Sequence, residues 1–420
     1  MFSRLVIHAL QHRFLTSILT TISIGLSVAL LLGVERVRQG SRDAFMNTIA
    51  GTDLIVGAKG GTLNLLLYSV FHMGTPIENI SYQTFEAISQ RQDIEWTIPI
   101  SLGDSHRDYR VVGTNENFYR HYQYNSGQHL ELSAGQISED VFDIVIGSEV
   151  ASQLNYHIGQ QIVLSHGSGG GVSFLNHANR PFKVVGILAQ TSTPIDKALY
   201  ITLEGMEALH IDWQDGAPPL SGQETSNEEL QASSLEVKEI SAFFLRSRSR
   251  IATLHLQRWI NDYSAETLMA ILPGVVLSDL WQSLSYVENG LKLISLCVVV
   301  VGLFAMLIAI YNSLSERRRE MAILRSLGAS PSLIFSLLTI EALALTISGI
   351  VMGMALLYLS ILVASPIIYR EFGLNLALAY PGNLEWLYLG GILILGTALG
   401  FIPAWRAYRN TLSDGLTIRI

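Results

Sequence analysis

The sequence predicts an integral membrane α-helical protein: four transmembrane helices, with a large α+β domain inserted between the first and the second. Three observations predict it. Only 15% of the 420 residues are charged while 49% are hydrophobic; soluble chains carry about 25% charged residues. The shortage is uneven, because four long stretches hold almost no charge while residues 35–290 read as ordinary globular sequence. Arginines crowd the short segments flanking those stretches.

The first uncharged stretch, Leu15–Val34, is about 30 Å long as a helix, enough to cross the hydrocarbon core. LSVALLLGVERVRQG gives no convincing small-x-small cleavage site after an apolar core of signal-peptide length, so it reads as an uncleaved anchor rather than a signal peptide. Leu293–Leu314 has no charge, and a third stretch from Leu333 to Pro366 is broken only by Glu341. The fourth, Trp386–Ala404, is glycine-rich (YLGGILILGTALGF), which favours close helix contact, and Trp386, Tyr388 and Trp405 suit its interfacial ends. Cys297, the single cysteine, excludes an intrachain disulfide; its apolar run predicts a buried, inert thiol.

Positive charge sets the direction. Arg4 and Arg13 precede the first span, Arg317, Arg318, Arg319 and Arg325 lie between the second and third, and Arg406, Arg409 and Arg419 follow the fourth. Arginine-rich short flanks stay in the cytoplasm. The segments predicted are a cytoplasmic amphipathic helix (1–14), spans at 15–34, 291–314, 332–366 and 386–404, an external domain (35–290), a cytoplasmic loop helix (315–331), a short outer loop (367–385) and a cytoplasmic tail (405–420).

Within the external domain, DLIVG (53–57), YRVVG (109–113), DIVIG (143–147), QIVLS, FKVVGIL (182–188) and FFLRS read as strands, while Ser81–Gln90 and Arg250–Tyr263 read as helices. LNLLLYSVF (63–71) reads as a core helix or a surface touching lipid or a partner. GAKGGT (57–62) lacks the G-x-x-x-x-G-K-[ST] order of a phosphate loop, and its glycines suit a tight turn. No metalloprotease or nucleophile-elbow motif occurs. His121 and His129 flank QYNSGQ, and His166 and His177 flank a glycine-rich loop. Either pair has the makings of a metal site, but exposed loop histidines are the plainer reading. His8 and His12 suit an interfacial helix. No catalytic, cofactor or metal residues are assigned, and the net charge of −8, without a basic patch, speaks against nucleic acid.

The most informative stretch is NSLSERRREMAILRSLGASPSLIFSLLTIEAL (312–343). It predicts a helix from Ser315 to Leu327, with Gly328 at the C-cap, Ser330 capping the next helix and Pro331 in its first turn. Met321, Ile323, Leu324 and Leu327 give an apolar surface beside the arginines, suited to a groove on a cytosolic protein or, alternatively, to anionic headgroups. Glu341 is costly in lipid and is expected to face the bundle, water or a partner group, as a polar contact fixing the helix arrangement or near the inner headgroups or, less plainly, as a proton relay.

This stretch closely resembles the signature of the FtsX-like/MacB-like permease family, through Glu316, Arg317, Glu320, Leu324, Arg325, Leu327, Gly328, Ala329, Ser330, Glu341, Ala342 and Leu343. The ending FIPAWRAYRNTLSDGL is similar to the family's through Pro403, Ala404 and Ala407, without its usual proline near Leu412. The resemblance implies a permease or mechanotransmission subunit, working in pairs (a second copy or a homologous permease) on a cytosolic ABC ATPase dimer that binds the ATP and Mg. The coupling element would be Glu316, Arg317, Arg318, Arg319, Glu320, Met321, Leu324, Arg325, Leu327 and Gly328. It also implies a bacterial inner membrane, cytoplasmic termini, and a periplasmic domain with a porter-like lobe (41–134 and 236–285) and an inserted β-rich lobe (135–235). ATP-driven motion would export or extract a lipoprotein, peptide or small molecule, with a periplasmic adaptor, binding protein or lipoprotein as partner. The alternative is a non-transport regulator that activates a cell-wall hydrolase or senses a ligand. The chain is expected to be no enzyme, its ATPase being a separate subunit.

Overall fold

The computed structural model describes residues 14–46, 48–125, 127–167, 177, 179–212, 225, 230, 235–316, 326, 329–372 and 378–413. They form two units. One is Arg42–Ser283; the other joins the N-terminal segment up to Ser41 with the chain from Leu284 onward.

Four helices among the described residues are long and apolar enough to cross a membrane. They are Phe14–Met46, Pro273–Glu316, Pro331–Phe372 and Asn383–Ser413. The shortest has 31 residues, about 46 Å of helix against about 30 Å of hydrocarbon. Each therefore outruns the lipid: charged residues such as Glu35, Arg36 and Arg38 continue the first helix, and the third and fourth run on through Pro366 and Pro403.

The bundle core follows helical spacing. Ile24, Val28, Leu31 and Leu32 of the first helix meet Val299, Leu303, Met306 and Ile310 of the second, with Ala342, Leu345, Leu357 and Ile361 of the third and Leu389 and Ile392 of the fourth. Small residues set the approach. A Cβ at Gly353 would lie 2.6 Å from Val28 Cβ and 2.7 Å from the Gly25 carbonyl oxygen, and one at Gly349 would lie 2.5 Å from Ile24 Cγ2. The first and third helices thus cross on a G-x-x-x-G pair. In the fourth helix, Gly396 and Gly400 abut Thr346 and Ala342, while Gly390 and Gly391 face open space. Cys297 is exposed, correcting the expectation of a buried thiol. In a bundle whose solvent is lipid, apolar neighbours do not imply burial.

The other unit is built on a mixed sheet. Its main path runs Leu268–Ile271, Leu54–Ala58, Ala242–Ser247, Ile94–His106, Tyr109–Thr114, Ala198–Thr202, Asp143–Ile146, Phe182–Leu188 and Leu132–Gly135. Most neighbours are antiparallel; Ala198–Thr202 on Tyr109–Thr114 and Phe182–Leu188 on Asp143–Ile146 are parallel. Residues 135–235 hydrogen-bond into the same sheet as the rest, so the backbone ladder is continuous. The packing is less so. Phe142, Ile144, Phe182 and Leu199 belong to one cluster, and Leu54, Val56, Phe85 and Phe243 to another. Thr62–Val70 is a core helix, with Leu65, Leu66 and Tyr68 buried. A Cβ at Gly57 would lie 2.5 Å from Leu65 Cδ1, so the first glycine of GAKGGT lets this helix close on its strand rather than forming a turn.

Candidate functional site

Of the residues the sequence nominates for coupling, Glu316 ends the second long helix. Arg317, Arg318, Arg319, Glu320, Met321, Leu324, Arg325, Leu327 and Gly328 lie outside the described residues. The next helix starts at Pro331, where the Leu333 amide donates to the Ser330 carbonyl at 3.0 Å. Glu341 is 5% exposed. It sits beside Ala342, which abuts Gly400 of the fourth helix, so the carboxylate is inside the bundle rather than in lipid.

Near the opposite ends of these helices the structure adds an ionic collar. Arg36 pairs with Glu385 at 2.6 Å and donates to the carbonyls of Ala379 and Tyr380. Arg38 pairs with Glu35 at 2.6 Å and with Glu288 at 3.3 Å. The first helix is thereby tied to the second and the fourth. Removing one partner of such a buried pair costs about 3–5 kcal/mol, because its counter-charge is left stranded.

The sheet unit holds a second polar centre. Asp104, His166, His177 and His210 bring one ligating atom each to within 4.8 Å of one another. Each comes from a different element. Asp104 lies near the end of the long Ile94–His106 strand, where one extra residue interrupts pairing with Tyr109–Thr114 between Leu102 and Ser105. Such a bulge re-aims a side chain. His166 is the cross-strand partner of Asp104 in the Ser165–His166 ladder. The His177 amide donates to the Leu164 carbonyl at 2.9 Å. His210 ends the Leu203–His210 helix, whose first turn Thr202 caps through the Gly205 amide at 3.0 Å.

The three imidazoles converge on one carboxylate oxygen. His166 Nδ1, His210 Nε2 and His177 Nε2 lie 3.2, 3.5 and 3.8 Å from Asp104 Oδ1, and His166 Nδ1 is 3.1 Å from His210 Nε2. The rings stand near-perpendicular, at 71°, 81° and 87° to one another. His210 Nδ1 lies 3.1 Å from the Met206 carbonyl, an acceptor only, so it carries a proton and donates. Behind the centre the Arg180 amide donates to the His177 carbonyl at 3.0 Å, and its buried guanidinium donates to the Ala208 carbonyl and to Asp212. Burial pushes the Asp104 carboxyl up, yet the surrounding imidazoles of His166, His177 and His210 outweigh it and hold it well below the usual carboxylate range. Burial pushes His210 down, but bonding and attraction to Asp104 reverse this and raise it.

Sequence reading weighed His166 and His177 as a pair and passed over Asp104 and His210. Nothing local marks those two, since strand register and the helix end bring them in. His121 and His129 go elsewhere: His121 stacks on Trp96 at 5.5 Å, and His129 Nε2 lies 3.1 Å from Gln123 Nε2.

Residues 17–234, just over half of the chain, match the MacB-like periplasmic core domain, and residues 292–412 match the FtsX-like permease C-terminal family. The chain belongs to the FtsX-like/MacB-like permease family. Its apolar helices and this membership make it a multi-pass membrane protein. The permease is similar to the Macrolide export ATP-binding/permease protein MacB of Shewanella sp. (strain W3-18-1), with 20% identity over 98% of this chain and 60% of that relative. This chain therefore spans about 60% of the relative's length. Among solved structures, the extracellular domain of the noncanonic ABC-type transporter YknZ from Gram-positive bacteria matches 52% of this chain and 98% of its own at 9% identity, with a TM-score of 0.30.

Proposed function

We propose that this permease is the mechanotransmission subunit of an ATP-driven export or extraction complex in a bacterial inner membrane. The observation that carries the reading is the FtsX-like permease match over residues 292–412. That range takes in the second span, the arginine-rich loop and the third and fourth spans. In this reading the sheet unit is periplasmic, both termini are cytoplasmic, and the Glu316–Gly328 segment docks on a separate ATPase dimer that binds ATP and Mg. Charge-assisted bonds from Arg317, Arg318, Arg319 and Arg325 would orient that contact, and Met321, Leu324 and Leu327 would stiffen it. The chain passes between its two units inside helices, at Ser41/Arg42 and Ser283/Leu284.

The test is copurification. The permease should hydrolyse no ATP alone and recover an ATPase from its native membrane. Charge reversal at Arg317, Arg318 and Arg319 together should abolish that recovery without loss of the permease from the membrane. Undiminished recovery would remove the docking surface. Crosslinking the sheet unit in cells then separates cargo from regulation: a lipoprotein, peptide or adaptor supports transport, and a cell-wall hydrolase contradicts it.

A further inference from the structure

We infer that Asp104, His166, His177 and His210 form a transition-metal site, suited above all to Zn²⁺. The donor set, spacing, orientation and electrostatics of the four side chains all bear on this. The inference stands independently of the ATP-driven reading.

The donor set is three imidazole nitrogens and one carboxylate oxygen. Zinc takes such ligands in tetrahedral sites, with bonds of about 2.0–2.2 Å. A tetrahedron with those bonds separates its ligand atoms by about 3.3–3.5 Å. The four separations given above, from 3.1 to 3.8 Å, straddle that value. Calcium and magnesium demand six or more ligands, mostly oxygen, which this set cannot supply.

Orientation agrees with spacing. With the Nδ1 proton of His210 donated to the Met206 carbonyl, Nε2 is the nitrogen turned inward. A backbone carbonyl that accepts the outer ring proton in this way fixes the tautomer of metal-bound histidine. The bulge at Gly103–Asp104 swings the carboxylate to the same point, and Arg180 ties the His177 segment to the helix that ends at His210.

The carboxylate itself is the second, independent sign. Asp104 is 0% exposed, and its Oδ2 has no hydrogen-bond partner among the described residues. A fully buried carboxylate is expensive unless a cation neutralises it. His166 and His210 keep 40% and 28% of their side-chain surface exposed, which gives an ion a way in from solvent. Four protein ligands close a zinc site, so the chemistry on offer is clasping rather than catalysis. The ion would fasten the Ser165–His166 strand, His177 and the end of the Leu203–His210 helix to the long strand. The rival arrangement is a metal-free Asp–His hydrogen-bond network.

The experiment uses the full chain in detergent, purified with a tag that contains no histidine. After chelator treatment it is titrated with Zn²⁺, followed by elemental analysis and thermal unfolding. One Zn²⁺ per chain, raising the unfolding temperature, is expected. His166→Ala, at the most exposed ligand, should retain the fold and weaken binding at least about tenfold, while His129→Ala should bind like the parent. Co²⁺ in place of Zn²⁺ should give the visible absorption of a four-coordinate site, lost in Asp104→Asn. The inference is overturned if the parent retains no stoichiometric Zn²⁺, or if His166→Ala and Asp104→Asn bind it as tightly as His129→Ala does. Either result would leave the hydrogen-bond network as the explanation.

Discussion

The two units of the permease use apolar residues in opposite ways. In the sheet unit, Leu54, Ile55, Phe243 and Phe244 are at most 1% exposed, so hydrophobicity there means burial. In the helix bundle, Leu15, Ile294, Leu296 and Val363 are more than half exposed, and the apolar surface faces the medium that lipid would fill. The polar groups differ in parallel. The bundle keeps its ion pairs on charged stretches beyond the apolar runs, at Arg36–Glu385 and Arg38–Glu35, whereas the sheet unit buries the Asp104 carboxylate and His177 beside the half-buried His166 and His210. Water expels apolar side chains and lipid does not. Packing in the bundle must therefore come from close helix approach, and packing in the sheet unit from burial.

The largest expected effect tests burial. Phe243→Ala should destabilise the permease by about 3–5 kcal/mol, read as a loss in denaturant unfolding; Leu296→Ala, of similar hydrophobic character but half exposed, should stay within about 0.5 kcal/mol. Equal effects would erase the distinction. Close approach is tested next. Gly353→Leu should cost about 1–3 kcal/mol by forcing the first and third helices apart, while Gly390→Leu, in open space, should be nearly neutral in the same assay.

A smaller effect is capping. Thr202→Ala should cost about 1 kcal/mol by freeing the Gly205 amide, and it should loosen the helix that presents His210. The smallest effect is a pH dependence. Burial pushes His72 down to about 4, with Arg110 adding to the shift. An unfolded histidine titrates near 6.5, so the unfolded chain binds this proton first. Stability should fall as pH drops from about 6.5 toward 4. His72→Asn, which tolerates the φ of +56° found there, should flatten the slope of unfolding temperature against pH.

Much of this architecture was legible in the sequence because it is local. DLIVG, YRVVG, DIVIG and FKVVGIL announced strands that are present at Leu54–Ala58, Tyr109–Thr114, Asp143–Ile146 and Phe182–Leu188. Uncharged runs announced the four long helices. The Asp–His cluster was half legible: His166 and His177 stand out beside their glycine-rich loop. Asp104 and His210 belong to the centre only through a cross-strand register, a bulge and the end of a capped helix, none of which leaves a mark in neighbouring residues. Cys297 misled for the opposite reason, since its neighbours report the polarity of the medium rather than depth in a core.

Sidedness is the claim that everything mechanical rests on. In a Cys297→Ser background, Ser326→Cys and Glu131→Cys place one thiol in the arginine-rich loop and one on the exposed surface of the sheet unit. A membrane-impermeant maleimide applied to spheroplasts should label Glu131→Cys at once and Ser326→Cys only after permeabilisation. Labelling of both from outside would put the loop and the sheet unit on one face of the membrane, and no cytosolic ATPase could then drive the permease through that loop.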